Sequence, residues 1–449
     1  MRLPRKYQGG KAVRNTRFRW LALTLAVGLA LAAMSCKGSS KSTATPQATG
    51  TQPAAATGTQ PAAFTGTVKV GISTTLSGAI AQLGKNGLQG VTLAVDDLNA
   101  KGGLLGKKIE VVSADDQAKP DVGSTNVRNM ILNDKVVAVF GPVSSAVAAA
   151  EEGIAAQNKI PIFFHTSNDT VLMTKQFTKY GFQVVPNTTM EPRAIAAYAC
   201  QQPYTKWATI GPDYSYGHDT VDTFIKDLKA CKPGVEVVNA QWPKLGSSDF
   251  TPYISAIQSA KPDALFLAIY GGDLVTFSKQ AAGYNLAKQM KMFGAYSISA
   301  LQPLGADAPA GGVTWFRAPI YLPDGTPGVD NAKIKTFIDQ YHAKFGQWPG
   351  IFSILAYSAV QTWADGVKKA NSFDGDKIAA ALPGVTVSTV RGDIKIRACD
   401  HQAEIPEYVG TLSDQVNSTY GFRTPTNVFI GQPDKIMLTC AESEALRGK

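Results

Sequence analysis

The chain is poor in the residues that build metal and catalytic centres. It has 4 histidines and 5 cysteines among 449 residues, and they are not grouped at the spacing of metal ligands. The GxSxG turn of serine hydrolases and a glycine-rich phosphate loop are also missing. We therefore expect no metal, no cofactor and no catalytic residue. Of the histidines, only His165 falls in a candidate binding loop, where an orienting or structural role is favoured over that of a general base.

Acidic residues are absent from the first 36 positions, which carry seven of the basic ones. When residues 1–35 are left out, the 44 Lys and Arg residues fall to 37 against 34 acids, so the net charge falls from +10 to about +3. Most of the basicity therefore belongs to the N-terminus. It does not indicate the basic surface that binds nucleic acid, and we expect no nucleic-acid partner.

The apolar run from Leu21 to Ala33 is shorter than the roughly 20 residues that a membrane-spanning helix needs. Basic residues precede it and small residues follow it, which is the order of an export signal. The sequence Ala33-Met34-Ser35-Cys36 resembles a bacterial lipobox, which implies a signal peptide at 1–35 and a lipid anchor at Cys36. The mature protein would then lie at the outer face of the cytoplasmic membrane or in the periplasm. A different cleavage site, or an uncleaved anchor, is the alternative.

Residues 36–65 are rich in Ser, Thr, Ala, Gln, Pro and Gly, and they contain the octapeptide ATGTQPAA twice, at 48–55 and 56–63. Such a composition lacks the apolar side chains that offset the entropy of ordering. The segment is predicted to be a disordered tether that lets a folded body reach a neighbouring membrane protein, or else a spacer with no specific role.

Four cysteines follow the tether. An even number in an exported chain indicates disulfides, because the compartment outside the cytoplasm is oxidising. The most local pairing joins Cys200 to Cys231 and Cys399 to Cys440. Metal binding is the weaker interpretation, since no CxxC or clustered histidine accompanies these cysteines.

From Thr67 onward, short apolar runs alternate with amphipathic segments, which predicts parallel sheets covered by helices. The pattern starts again after Asn187, so we expect an α/β fold with two doubly wound, Rossmann-like lobes. The last third has long helices at about 330–346 and 351–370 and too few strands for a third lobe. The predicted strands are 68–73, 108–113, 136–140, 160–164, 182–185, 207–211, 235–240, 263–269, 291–294 and 312–316.

Ligands of open α/β sheets bind beyond the carboxyl ends of the strands. The predicted strand 136–140 runs into Ser144 and Ser145 and then a helix, whose N-terminus is suited to a carboxylate. One of these serines could instead merely cap the helix. Thr166 and Asn168 follow the next strand, either as ligand contacts or as ordinary turn residues.

Three tyrosines stand at strand exits in the second half of the chain. They are Tyr216, Tyr270 and Tyr296. An aromatic ring packs against an apolar ligand while its hydroxyl fixes the orientation of that ligand. Each could equally pack within a lobe, but their recurrence at strand exits favours a binding site.

These residues, in this order, resemble the type I periplasmic binding proteins, specifically the leucine/isoleucine/valine-binding family of ABC-transporter receptors. The resemblance covers about residues 67–412. The matching stretches are VKVGISTTLSG, GVTLAVDDLNAKGGLLGKKIEVV, DDQAKP, VVAVFGPVSSAV, DYSYG, DALFLAIYGGD and DHQAEIPEYVG.

The resemblance implies a Venus-flytrap fold, in which two lobes are joined by a three-stranded hinge and close around a ligand. Lobe one would contain 66–187 and 320–391, and lobe two 188–319 and 392–445. It also implies roles for the residues at the strand exits. The ligand carboxylate would be held by Ser145, Ser144, Thr166 and Asn168, with Tyr216 and Tyr270 covering the ligand.

Amino-acid binders of the family place an acidic residue near the position of Tyr296, to pair with the ligand ammonium. Here that segment has no carboxylate, although Asp273 could substitute. The expected ligand is therefore a small carboxylate: a branched-chain or other amino acid, or a related organic acid or amide. The expected function is that of a receptor delivering this ligand to an ABC permease. A sensory domain with a separate membrane signalling partner, or an enzyme, are the alternatives.

Overall fold

A computed structural model describes residues 63–448. The predicted signal peptide, Cys36 and nearly all of the predicted tether lie outside these residues. In the described part the strands are β1 (Thr67–Thr74), β2 (Lys108–Asp115), β3 (Val139–Phe140), β4 (Ile162–Phe164), β5 (Gly181–Gln183), β6 (Lys206–Ile210), β7 (Glu236–Gln241), β8 (Ala264–Leu267), β9 (Lys291–Gly294), β10 (Val313–Phe316), β11 (Thr386–Thr389), β12 (Gly392–Ile396), β13 (Ala403–Glu404), β14 (Glu407–Leu412) and β15 (Pro425–Gly431).

The helices alternate with the strands through most of the chain. They are α1 (Ala81–Ala100), α2 (Pro120–Asn129), α3 (Ser145–Gln157), α4 (Met190–Cys200), α5 (Ser215–Cys231), α6 (Thr251–Ala260), α7 (Gly271–Gly283), α8 (Leu286–Gln289), α9 (Ile298–Leu304), α10 (Asn331–Phe345), α11 (Ile351–Ala370), α12 (Gly375–Ala381), α13 (Pro433–Ile436) and α14 (Cys440–Leu446).

The strands form two main sheets that share one winding order. The first is parallel, with the order β2-β1-β3-β4-β5. The second repeats this order as β7-β6-β8-β9-β10 and extends beyond β10 with the antiparallel strands β14 and β15. The predicted α/β class with two doubly wound lobes is confirmed. Each sheet reverses its strand order beside its first strand, which is where such sheets bind ligands.

The last third of the chain serves both sheets. Helix α11 packs along α1 beside the first sheet, and a Cβ at Gly90 would lie 2.1 Å from the carbonyl oxygen of Ser353, so only glycine permits this approach. Strands β11–β13 form a small sheet that also stays with the first lobe, because Gln402 bridges Gln183 of β5. Residues 392–404 therefore differ from the expectation that lobe two resumes at 392, since the chain returns to the second sheet only at β14.

The chain passes between the two main sheets three times: after β5, after β10 and between β13 and β14. Arg391 forms hydrogen bonds with two of these crossings. Its guanidinium donates to the carbonyl oxygens of Val184 (2.7 Å) and Arg317 (3.3 Å), and to the Ser358 hydroxyl (3.0 Å). The crossings are thus hydrogen-bonded to one another as well as connected by the chain.

Two disulfides join elements that are adjacent in space. Cys200 at the end of α4 is bonded to Cys231 at the end of α5, with their Cα atoms 6.2 Å apart. Cys399 is bonded to Cys440 at the start of α14, with their Cα atoms 5.8 Å apart. Within residues 63–448, no helix is both long and apolar enough to cross a membrane.

Candidate functional site

A cavity lies between the two main sheets, at the carboxyl ends of their strands. It contains about 600 Å³ of space not filled by atoms, part of it open to solvent. Both lobes contribute to its wall. The lining residues are Leu83, Val143, Ser145, Thr166, Asn168, Tyr214, Tyr216, Tyr270, Gly271, Ala295, Ser297, Trp315, Arg317, Ile351 and Phe352.

Four helices begin at the cavity wall: α3 at Ser145, α5 just before Tyr216, α7 at Gly271 and α11 at Ile351. The N-cap side chains of α3, α5 and α7 accept no hydrogen bond from the helix backbone, and the N-cap of α11 is Gly350, which has no side chain. The first N–H groups of a helix carry a partial positive charge and need an acceptor. Their convergence therefore makes the cavity favourable for an anion.

Arg317, directly after β10, adds a full positive charge to this wall. Its Nε and Nη2 atoms donate to the two carboxylate oxygens of Glu191, and Nη1 donates to the Thr166 carbonyl oxygen at 3.1 Å. Burial opposes the charge of the guanidinium, but Glu191 and Tyr216 outweigh it and raise the pKa of Arg317. Two of its five N–H groups have no acceptor among the described residues and remain available.

Thr166 and Asn168 come from the loop after β4. The Thr166 hydroxyl lies 2.7 Å from Nδ1 of His165, and the Asn168 amide donates to the Pro186 carbonyl oxygen at 3.2 Å. The Asn168 carbonyl oxygen also accepts from Thr188 N–H at 2.8 Å, so this loop is bound to the first crossing. Both side chains are almost fully buried and are thereby held in place at the cavity wall.

Three tyrosines form an aromatic group on the second-lobe side of the cavity. The hydroxyls of Tyr214 and Tyr270 lie 2.6 Å apart, and the ring centroids of Tyr216 and Tyr270 lie 5.3 Å apart, edge to face. Burial raises the pKa of Tyr214 and Tyr216, and raises that of Tyr270 to about 12, so all three stay neutral. Trp315, from the second lobe, and Phe352, from α11 beside the first sheet, add further aromatic rings to the lining.

Sequence reasoning named seven contact residues, and the structure brings five of them to the cavity: Ser145, Thr166, Asn168, Tyr216 and Tyr270. Ser144 is not part of the lining. It occupies the N-cap position of α3, although its side chain makes no capping hydrogen bond.

Tyr296 is the second correction. Its neighbours Ala295 and Ser297 line the cavity, whereas the Tyr296 ring points the other way and is fully buried in the core of the second lobe. It lies under Gly294, where an added Cβ would be 2.6 Å from the ring. Alternation of side chains at this strand exit therefore removes Tyr296 from the site.

Arg317, Tyr214 and Phe352 line the cavity but were not predicted as contacts. The other contacts were predicted because they follow strands. The same argument applies to Arg317, which directly follows the predicted strand 312–316. Tyr214 lies in the loop that supplied Tyr216. Phe352 had no local signal, because it enters from the start of a long helix.

The described lining contains no carboxylate, and Arg317 is its one charged side chain. Asp273, the possible partner for a ligand ammonium, is buried outside the cavity and accepts the Gly246 N–H at 2.9 Å. The described residues also contain no group of His, Cys, Asp and Glu that could hold a metal ion.

Comparisons with known proteins agree with this architecture. A family model described as "Periplasmic binding protein" matches residues 67–416. A Leu/Ile/Val-binding protein of Rhizobium johnstonii is 30% identical over 72% of this chain and 86% of its own. The Leu/Ile/Val-binding protein homolog 4 of Brucella abortus is 24% identical over 94% of this chain and 98% of its own.

A solved structure extends the comparison to three dimensions. It is the solute-binding protein of an ABC transporter from Rhodopseudomonas palustris, in complex with 3,4-dihydroxybenzoic acid. It superposes with a TM-score of 0.73 at 26% identity, and the match covers 82% of this chain and 98% of that one.

Proposed function

Because the chain belongs to the leucine/isoleucine/valine-binding family of periplasmic binding proteins, we propose that it is the solute receptor of an ABC importer and binds a small carboxylate between its lobes. The family is one of solute-binding receptors that deliver small molecules to ABC permeases.

One observation carries the carboxylate assignment. Four uncapped helix N-termini and Arg317 converge on a cavity whose described lining has no acidic side chain. An anion is stabilised there by the helix dipoles and by charge-assisted hydrogen bonds. We assign the carboxylate to the space between Ser145, Thr166 and Arg317, with Asn168 holding the loop.

The aromatic side of the cavity favours an aromatic carboxylate. Tyr216, Tyr270 and Trp315 offer ring faces and edges to a flat apolar group. The Rhodopseudomonas palustris relative was solved with 3,4-dihydroxybenzoic acid, a ligand of this chemistry. An α-amino acid would bring an ammonium group into a site without a free carboxylate, and burying an unpaired charge is costly.

A branched-chain amino acid is the second candidate, and the names of the Rhizobium and Brucella relatives favour it. Glu191, which is paired with the lining residue Arg317, could serve as the partner of the ammonium, but Arg317 already occupies both of its oxygens. Binding an amino acid would therefore require this ion pair to rearrange.

We also propose how the chain is organised around the site. Residues 1–35 would be removed, Cys36 would carry the lipid, and residues 36–65 would tether the body to the membrane beside its permease. Lobe one would comprise 66–187 and 320–391 together with the small sheet up to about 404, and lobe two 188–319 and the remainder to 445. Sheet membership of the strands supports these limits.

The test begins with native mass spectrometry of the purified protein, to identify any small molecule that it retains. Intrinsic fluorescence, for which Trp315 is a reporter in the cavity, then gives Kd values for benzoate, 4-hydroxybenzoate, 3,4-dihydroxybenzoate, L-leucine and L-isoleucine. We expect the benzoates to bind more tightly than either amino acid. Tighter binding of leucine or isoleucine would overturn the aromatic assignment, and recovery of a chemically altered ligand would favour an enzyme.

A substitution tests the carboxylate position. Ser145→Ala removes a hydroxyl at the start of α3 and should weaken benzoate binding about 3- to 10-fold without changing the melting temperature. Ser255→Ala, in α6 outside this cavity, is the matched control. Equal Kd values for the wild type and Ser145→Ala would remove Ser145 from the site.

A further inference from the structure

His165 is fully buried directly behind the cavity wall. Its Nδ1 atom lies 2.7 Å from the hydroxyl of Thr166, which lines the cavity. Its Nε2 atom is buried without a hydrogen-bond partner among the described residues. The imidazole therefore has a single polar contact, and that contact is to a proposed ligand-binding hydroxyl.

The imidazole packs closely against α1. A Cβ at Gly87 of α1 would lie 2.9 Å from the His165 Cε1 atom, so the helix backbone passes directly against the imidazole. Burial also lowers the pKa of His165 to about 3, so the ring is neutral at physiological pH. A neutral imidazole carries one N–H, and the position of that proton decides what Thr166 can do.

Two tautomers are available, and they have opposite consequences. With the proton on Nε2, a buried N–H donor would have no acceptor, and Nδ1 would accept a hydrogen bond from the Thr166 hydroxyl. With the proton on Nδ1, the imidazole donates to Thr166 and only a lone pair on Nε2 is left without a partner. Buried donors without an acceptor are rarer than acceptors without a donor, which favours the second tautomer.

We propose that His165 is a positioning residue, which donates from Nδ1 to the Thr166 hydroxyl and so directs the Thr166 proton into the cavity toward the ligand carboxylate. The inference rests on the proposed function, because the carboxylate is the acceptor that this hydroxyl would meet. It assigns the site a relay of two hydrogen bonds, from the buried ring through the hydroxyl to the ligand.

The relay gives the Thr166 hydroxyl the role of a donor beside Ser145 and Arg317. A hydroxyl both donates and accepts, so on its own it could turn its lone pairs toward the cavity. Its backbone is fixed, because the Thr166 carbonyl oxygen accepts from Arg317 at 3.1 Å. With one of its two lone pairs accepting from the His165 N–H, the hydroxyl cannot donate toward the ring, and it adds a third side-chain donor to those of Ser145 and Arg317.

The tautomer can be measured without any ligand. Two-dimensional ¹H–¹⁵N spectra of the full-length protein labelled at histidine report both ring nitrogens of His165, assigned by loss of their signals in His165→Asn. We expect the shift of Nδ1 to be that of a protonated nitrogen and the shift of Nε2 to be that of an unprotonated one. The reverse pattern would overturn the proposal, whatever the protein binds.

Benzoate binding to three variants of His165 tests whether the imidazole directs the Thr166 hydroxyl toward the ligand. The amide nitrogen of Asn stands the same number of bonds from the backbone as Nδ1, whereas that of Gln corresponds to Nε2. We therefore expect His165→Asn to keep a Kd close to that of the wild type. His165→Gln and His165→Leu should weaken binding about 2- to 10-fold, the worth of one oriented hydrogen bond.

Whether His165→Leu weakens or strengthens benzoate binding distinguishes the two tautomers. If the Thr166 proton were instead donated to Nδ1, His165→Leu would release it and benzoate would bind more tightly. A purely structural role predicts equal losses for His165→Asn and His165→Gln, tracking their melting temperatures. In a Thr166→Val background the three substitutions should no longer differ. Absence of benzoate binding in the wild type would count against the proposed ligand, while the ¹⁵N shifts would still decide the tautomer.

Discussion

Arg317 is placed where one side chain can serve both the proposed ligand and the fold. Its guanidinium lines the cavity and also neutralises Glu191, which is fully buried. Removing one partner of a buried ion pair leaves an uncompensated charge, whereas replacing both with neutral groups is often tolerated. A single substitution would therefore confuse loss of the ligand contact with loss of stability.

A paired substitution separates the two effects. Arg317→Met alone should lower the free energy of unfolding by about 3–5 kcal/mol and weaken benzoate binding. Arg317→Met combined with Glu191→Gln should recover most of that stability while benzoate binding stays at least about 10-fold weaker than in the wild type. Urea unfolding and fluorescence titration measure the two quantities. Recovery of affinity together with stability would show that Arg317 acts on the fold and not on the ligand.

Glu152 gives the free energy of unfolding a predictable pH dependence. It is buried on α3, and burial raises its pKa from 4.5 to about 8, although one oxygen accepts the Thr178 hydroxyl at 3.1 Å. The folded protein therefore holds this proton up to about pH 8, whereas the unfolded chain releases it near pH 4.5. The stabilisation is complete below about pH 4.5 and is lost as the pH rises toward 8.

Glu152→Gln should remove this contribution. Between pH 5 and 8 the wild type should lose up to about 1.4 kcal/mol of unfolding free energy per pH unit more than the variant. Urea unfolding at each pH measures the difference, and Glu110→Gln on β2, whose side chain is 44% exposed, is the control. Parallel pH profiles for the wild type and Glu152→Gln would contradict the assignment.

The sequence indicates which side chains follow a strand, but it does not indicate the direction in which those side chains point. Ser145, Thr166 and Tyr270 line the cavity because the ends of parallel strands meet at one edge of each sheet. Tyr296 follows a strand too, yet it points into the core. Whether a residue at a strand exit faces in or out depends on the local pleat, which the apolar pattern does not encode.

The limits of helices and strands could be predicted where the buried residues are also the ones that form the backbone hydrogen bonds. Helix α11 and strand β9 have the predicted limits 351–370 and 291–294, but β3 spans only Val139–Phe140 of the predicted 136–140. The apolar run indicates that all five residues are buried or partly buried. It does not indicate that all five form hydrogen bonds with a neighbouring strand. Strand β14 pairs antiparallel with β10, nearly 100 residues earlier, and no local pattern signals such a partner.

The C-terminal helix α14 is held by the Cys399–Cys440 disulfide and by the Ser443 hydroxyl, which donates to Asp400 at 2.9 Å. Changing both cysteines to Ser should lower the free energy of unfolding by about 2–4 kcal/mol, because the cross-link restricts the unfolded chain. Amide exchange should also accelerate in α14. The matched variant with Cys200 and Cys231 changed to Ser should lose stability but keep the exchange rates of α14. Unchanged exchange in the first variant would mean that other contacts suffice to hold the helix.

On the scale of the whole molecule, the cavity exists only because both lobes contribute to its wall. Ser145 and Thr166 belong to the first lobe, and Tyr216 and Tyr270 to the second. A ligand that contacts both sets favours the closed arrangement by its difference in affinity for the two states. Removing a contact between the lobes that does not involve the ligand should therefore also change the affinity for the ligand.

An aromatic contact between the two lobes meets this description. Trp348, between α10 and α11 of the first lobe, meets Tyr420 of the second lobe edge to face, with ring centroids 5.0 Å apart. Trp348 also stacks on His342 at 3.9 Å, and it is absent from the lining of the ligand cavity. The indole therefore joins the lobes without being placed to contact the ligand.

Trp348→Ala should weaken benzoate binding about 2- to 10-fold, because an aromatic pair contributes roughly 0.5–1.5 kcal/mol to the closed form. The change should lie mainly in the dissociation rate, which stopped-flow fluorescence measures. Trp242 offers a matched control, since it stacks on His218 at 4.0 Å within the second lobe. Trp242→Ala removes a comparable Trp–His stack but no contact between lobes, so its dissociation rate should match the wild type. If both variants release benzoate at the wild-type rate, the Trp348–Tyr420 contact does not stabilise closure.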